Sequence, residues 1–363
     1  MSLRDIRRQV GQLAIVGFDG YVVPDSVRQI AKTFDLGGVI FFARNVADPE
    51  QVMEMSRESQ LLARDMPLWV SVDQEGGRVA RLKRPFTEWP PMITLGRAQD
   101  EKLAGRFARA LAAELTAVGI SLDYTPVLDI FTNPKNSVIG DRALAERAED
   151  VARLGKVIIR TLQSERIAAC GKHFPGHGDT TSDSHFELPL IEHGPDRLEA
   201  VELVPFKAAI AADVASIMTA HILIPAFDEE RPATLSPAVV DGLLKQSLGF
   251  KGVVFTDDMH MKAITARYGL SEGTVAALAA GVDGVLMCQP EPEAQMAALE
   301  AVIYASEQGR LPVRRIEDAL ARHHRMKERF LTLPAKRLQA AGLRAVLGRD
   351  EHQAIAAEMA RFA

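Results

Sequence analysis

The chain has 363 residues, 47% of them hydrophobic and 25% charged, a composition that excludes a disordered polymer and fits one large barrel or two ordinary domains. Lys and Arg number 43 against 48 Asp and Glu, a net charge of −5, so there is no basic excess to neutralise phosphates, which argues against a nucleic-acid partner. The two cysteines, Cys170 and Cys288, lie inside apolar runs and read as reduced core thiols rather than a disulfide framework.

The amino-terminal stretch MSLRDIRRQVGQLAIVG holds no apolar run of signal-peptide length, and no run reaches the roughly 18 apolar residues of a membrane span. The expectation is a cytoplasmic monomer with no membrane insertion. Short apolar runs of β type then recur at 13–19, 37–42, 68–73, 120–128, 167–173, 215–221, 252–258 and 282–287. Segments of helical spacing lie between most of them, as at 104–118 and 196–212. Ser236 and Pro237 suit the cap and first position of a helix reaching about Ser247. Continuous apolar strands alternating with helices predict a parallel sheet covered on both faces, and eight such units predict a (β/α)8 barrel. The remainder from about residue 291 reads as helices broken near Pro312, Pro334 and Gly342, with Asp350 as a cap, packed on the barrel so that residues 1–363 form one domain.

Barrels of this kind carry their active sites at the C-terminal ends of the strands, so polar residues ending apolar runs are the informative ones. The third run ends in VDQEGGR, which crowds Asp73, Glu75, Arg78 and Arg81 into a binding cluster; helix capping is the plainer reading of any one member. The fifth leads into KHFPGHGDTTSDSH, residues 172–185, with three histidines, two aspartates and two glycines. Asp183, two residues before His185, can orient that imidazole and raise its basicity toward neutral pH. His173, His177 and His185 also raise a zinc site, but Pro175 and Gly176 oppose the helix that would bring an H-x3-H pair together, so no metal is expected.

The seventh run delivers Asp257 and Asp258. Of two adjacent residues on an extended segment one should face the axis and the other away; capping the helix that follows suits Asp258 better, which leaves Asp257 preferred for chemistry and Asp258 for support. Arg142 offers a fork of donors to a polar ligand, and His221 reads as support for the barrel rim.

Taken together, KHFPGHGDTTSDSH at 172–185, GVVFTDDM at 252–259, VDQEGGRVARL at 72–82 and VIGDR at 138–142 resemble glycoside hydrolase family 3, specifically its single-domain bacterial β-N-acetylhexosaminidases of cell-wall recycling. The segment 243–250 also fits, although Ser247 stands where the family usually has a charged or amide residue. The resemblance implies Asp257 as nucleophile of a retaining double displacement and the Asp183–His185 pair as general acid and then base. It also implies that Asp73, Arg81, Arg142, Lys172 and His173 contact the hydroxyls of a terminal N-acetylglucosamine. The implied substrates are muropeptides, and no cofactor is implied. Three alternatives stay open: a phosphorylase that uses phosphate as acceptor, cleavage assisted by the substrate's own acetamide with Asp257 and Asp258 orienting it, and an inactive barrel that senses wall fragments.

Overall fold

The computed structural model describes residues 2–181, 183–184, 187–331 and 340–363. Each apolar run contributes one strand: β1 (Ala14–Val16), β2 (Gly38–Phe41), β3 (Trp69–Val72), β4 (Leu122–Asp123), β5 (Ala168–Phe174), β6 (Ser216–Thr219), β7 (Val253–Asp258) and β8 (Gly284–Met287). They are all parallel, each pairs with its neighbours in sequence, and β8 returns to β1 with Ala14 opposite Val285, which closes the (β/α)8 barrel. A short antiparallel hairpin, Gln74–Gly76 with Val79–Ala80, stands on the end of β3.

Alternation along the strands sorts the core. Trp69, Leu122, Tyr124, Cys170, Met218 and Phe255 belong to one buried cluster, while Val70, Val72, Ile217 and Val254 join the layer shared with the helices. Edge-to-face packing of Tyr124 on Phe255, centroids 6.2 Å apart, fills the interior. The helix Val313–Leu331 closes the N-terminal end, with Phe330 against Trp69 at 6.5 Å and His323 against Phe255 at 5.6 Å.

Several expected elements are adjusted. The run 120–128 shrinks to the two residues of β4: beyond it the carbonyls of Thr125 and Pro126 still accept from Cys170 and Lys172 on β5, but Pro126 has no N–H to return. The helix expected at 196–212 is two, Pro195–Ala200 and Val204–Ala211, parted just before Pro205. Ser236 does cap, its hydroxyl accepting from the Val239 amide at 3.3 Å, although the helix it opens, Ala238–Ser247, is wound with π-type spacing. Gly342 sits inside the short helix Ala340–Leu343 instead of breaking one, Asp350 is the first residue of its helix after an Arg349 cap, and Pro334 lies outside the described residues. The final helix, Asp350–Ala360, is tied back by His352, whose Nδ1 meets Glu114 at 2.7 Å. Among the described residues no helix is long and apolar enough to cross a membrane.

Candidate active site

At the C-terminal end of the strands a cavity of about 580 Å³ is lined by Asp73, Arg81, Arg142, Lys172, His173, Asp183 and Asp257, together with Glu75, Arg78, His177, Ser184 and Asp258. Strands β3, β5 and β7 and the segments that follow them therefore converge on one space. Of the candidate site residues singled out in the sequence, His185 lies outside the described residues.

One wall is an ion-pair network. Lys172 Nζ, 2% exposed, donates to Asp73 Oδ1 and lies equally close to Glu75 Oε1, both at 2.7 Å. Glu75 also accepts two parallel bonds from the Arg142 guanidinium, each 2.9 Å long. Burial by itself raises the Glu75 pKa, but Arg142 and Lys172 outweigh it and hold the carboxyl far below the usual range. The fork of Arg142, read from sequence as reaching for a ligand, is thus committed to Glu75, and its remaining Nη1 donates to the Val138 carbonyl. Arg81 lies 3.6 Å from Asp73, and its buried Nε has no protein partner. Arg78 is spent on the carbonyls of Ser137, Val138 and Ile139 and on Asp141, which fixes the 137–141 loop.

Sequence reasoning missed Asp129. Its carboxylate accepts from His173 Nδ1 at 2.6 Å, from the His177 amide at 2.6 Å and from the His173 amide at 3.2 Å. Burial raises its pKa, yet the adjoining His173 and these bonds hold it below the usual range. The available signal was position: Asp129 follows directly on the fourth apolar run. Asp123, also missed, sits within β4 and is fully buried; burial pushes its carboxyl well above the ordinary range, and Oδ2 has no protein partner.

The segment after β5 folds tightly at its start. A side chain at Gly178 would meet the Ile130 carbonyl at 1.8 Å, so only glycine lets the backbones touch there. Burial lowers the pKa of His177 and keeps it neutral, and its two ring nitrogens meet Thr180 Oγ1 at 2.8 Å and Ser184 Oγ at 3.2 Å. His173 is engaged by Asp129 through Nδ1, and both ring nitrogens of His177 are taken by hydroxyls. Among the described residues no group of three or more His, Cys, Asp or Glu is arranged to hold a metal.

Asp257 lines the same cavity. Burial raises its pKa, but His173, His221, the Asp258 amide and Lys172 together hold the carboxyl below its usual range, so it is ionised at neutral pH. Both Asp257 and Asp258 line the cavity, rather than one facing away. Asp258 Oδ1 is occupied by the amides of Cys288 and His260, which suits support. His221 Nε2 donates to the Asp258 carbonyl at 3.1 Å while Nδ1 meets Thr234 Oγ1 at 2.7 Å, so it braces the end of β7 from beneath.

Asp183 and Asp257 lining one polar cavity at the mouth of a barrel make the comparison with known proteins informative. The glycosyl hydrolase family 3 N-terminal domain matches residues 5–326. The chain belongs to glycoside hydrolase family 3. It is therefore a glycoside hydrolase. A β-hexosaminidase of Nitrosomonas eutropha is 38% identical over 82% of this chain and 87% of its own length. A family 3 β-N-acetylglucosaminidase from Paenibacillus sp. superposes with a TM-score of 0.93 at 42% identity, covering 98% of this chain and 68% of that one. NagZ from Neisseria gonorrhoeae superposes at 0.79 with 32% identity, covering 99% of both chains.

Proposed function

We propose that this family 3 chain is an exo-acting, retaining β-N-acetylglucosaminidase that releases terminal non-reducing N-acetylglucosamine from peptidoglycan fragments in the cytoplasm, with residues 1–363 forming one catalytic domain. The observation that carries the reading is the seat of Asp257, an ionised carboxylate on the same cavity as Asp183, with cationic and imidazole groups gathered around it. The names of its relatives, β-hexosaminidase and β-N-acetylglucosaminidase, support the sugar.

In this mechanism an Asp257 oxygen attacks the anomeric carbon while the bond from that carbon to the leaving oxygen breaks. His185, held by Asp183, gives its proton to the leaving oxygen. Water then attacks the same carbon, its proton passes to His185, and the Asp257 ester is released. Asp73, Arg81, Lys172 and His173 bind the sugar hydroxyls, and Arg142 acts by fixing Glu75 and hence Lys172.

The test is turnover of an aryl β-N-acetylglucosaminide against the matching β-glucoside, with products analysed in the presence and absence of phosphate. The reading expects strong preference for the acetamido sugar and free N-acetylglucosamine in both buffers. Formation of the 1-phosphate would instead make the chain a phosphorylase. Labelling with a slow 5-fluoro sugar should add its mass to the peptide bearing Asp257, and an unlabelled peptide would favour acetamide-assisted cleavage.

A further inference from the structure

We propose that Asp179 and His193 are positioning residues that clamp together the two ends of the segment carrying Asp183, and so set how well the general acid meets the leaving group. The inference rests on the acid/base reading above. His193 Nε2 is paired with Asp179 Oδ2, a bond that spans 14 positions of chain. The other oxygen of Asp179 accepts from Thr132 Oγ1 at 3.0 Å. On the first side the segment is stapled to the loop after β4, where Asn133 donates to the Thr180 carbonyl at 3.1 Å and Asn136 to the His177 carbonyl at 2.8 Å. On the far side the Leu223 amide donates to Pro189 at 2.8 Å and the Ile191 amide to Leu223 at 2.9 Å, which fixes that end on the loop after β6.

The Asp179–His193 pair joins these two anchorages directly. Their side chains are 24% and 30% exposed, so the pair is not part of the packed core, and neither residue lines the cavity. Between them the described residues form no helix or strand, and Asp183 and Ser184 face the substrate space. Closing a segment at its base removes much of its freedom before substrate arrives. Proton transfer needs the acid within hydrogen-bond reach of one oxygen, and a displacement of about 1 Å costs on the order of a hundredfold.

A clamp acting through the general acid has a signature that loss of fold does not share. His193→Ala and Asp179→Ala should each lower kcat/KM for the phenyl β-N-acetylglucosaminide about tenfold or more. The 2,4-dinitrophenyl substrate, whose leaving group needs no proton, should stay within about twofold. The double variant should be no slower than the slower single one, because the two residues act as one unit. His193→Gln, which keeps an N–H donor, should recover most of the loss, and Thr132→Val should show a smaller loss with the same selectivity. Equal losses on both substrates, additive single effects or unchanged rates would each overturn the clamp. His185→Ala run alongside separates the two ideas. If it is leaving-group selective while the His193 variants are not, the clamp alone fails; if it is not selective, the acid/base reading falls and takes the clamp with it.

Discussion

At the C-terminal end of the barrel Lys172 meets Asp73 and Glu75 beside an open cavity, whereas at the N-terminal end the cations end on backbone carbonyls, on Gln12 and on Asp283 and Asp318. There Lys327 donates to Gln12 at 2.7 Å and to the Gly37 carbonyl at 3.0 Å. Lys245 bonds Asp283 at 2.7 Å, Arg315 adds the Val282 carbonyl at 2.7 Å, and Asp283 Oδ2 takes the Val254 amide at 2.9 Å. Both ends bury charge, but the first turns its charged groups toward a cavity of about 580 Å³, whereas the carboxylate of Asp283 is fully buried among its cations and backbone groups; Lys327, with Asp35 and His323, lines only a smaller cavity of about 210 Å³. Buried charge is costly unless paired, so the paired charges around the larger cavity are the candidates for chemistry, and the closed Asp283 cluster is read as architecture.

The largest separation of the two ends is expected at Asp257. Asp257→Ala should lower kcat by at least about a thousandfold, more than roughly 4 kcal/mol of barrier, with little change in melting temperature. A loss under about tenfold would remove this carboxylate from the nucleophile's role.

The mirror experiment lies at the other end. Lys245→Met leaves Asp283 with Arg315 and the more distant Arg322 at 3.9 Å, and should cost on the order of 3 kcal/mol of unfolding free energy, the low end for a broken buried pair. Denaturant titration would measure it, and kcat/KM on the intact fraction should not move. A selective loss of kcat/KM would mean that the two ends are coupled.

His323 gives the same contrast a pH axis. Burial, helped by Lys327, lowers its pKa from 6.5 to about 4, and its buried Nδ1 has no hydrogen-bond partner to share a proton with. Between those values the unfolded chain binds a proton that the folded chain refuses, so stability falls as pH drops through this window. The contribution should reach roughly 2 kcal/mol by pH 5 relative to neutral pH. His323→Gln should flatten that part of the stability profile. Asp257, held below its usual range, should keep the acid limb of kcat/KM below the ordinary carboxylate region if it is the nucleophile as proposed, so between pH 6.5 and 4 stability should fall before activity of the folded enzyme does.

How much of this was legible in the sequence follows from what each signal depends on. Eight apolar runs were enough for the barrel, because a strand buried on both faces must be apolar whatever it packs against. Asp257, Asp183 and Lys172 were legible because each follows or ends such a run inside a dense polar motif. Asp129 was not, because it stands alone in VLDIF and acquires meaning only when β5 brings His173 and His177 against it, 44 and 48 positions later. The commitment of Arg142 to Glu75 was hidden for the same reason, since 67 positions separate them and nothing local announces the pairing. The two-residue length of β4 was in principle readable from Pro126. The break between the two helices after β5 had Pro205 as its cue.

The smallest of these effects concerns that missed residue. Asp129→Asn preserves shape, but an amide offers one acceptor where the carboxylate offers two. If the Asn oxygen turns to the His177 amide, its NH2 group faces His173 Nδ1, which must then accept instead of donate. The ring must then carry its proton on Nε2, which fixes that nitrogen as a donor. Such a change at one proposed sugar contact should lower kcat/KM about tenfold, roughly 1.4 kcal/mol, and show mainly in KM. Asp283→Asn makes the same chemical change at the opposite end of the barrel, where Lys245, Arg315 and the Val254 amide surround the carboxylate and no substrate approaches. It should shift the melting temperature and leave KM where it was. If instead both variants changed KM alike, the division between a chemical end and an architectural end would be lost.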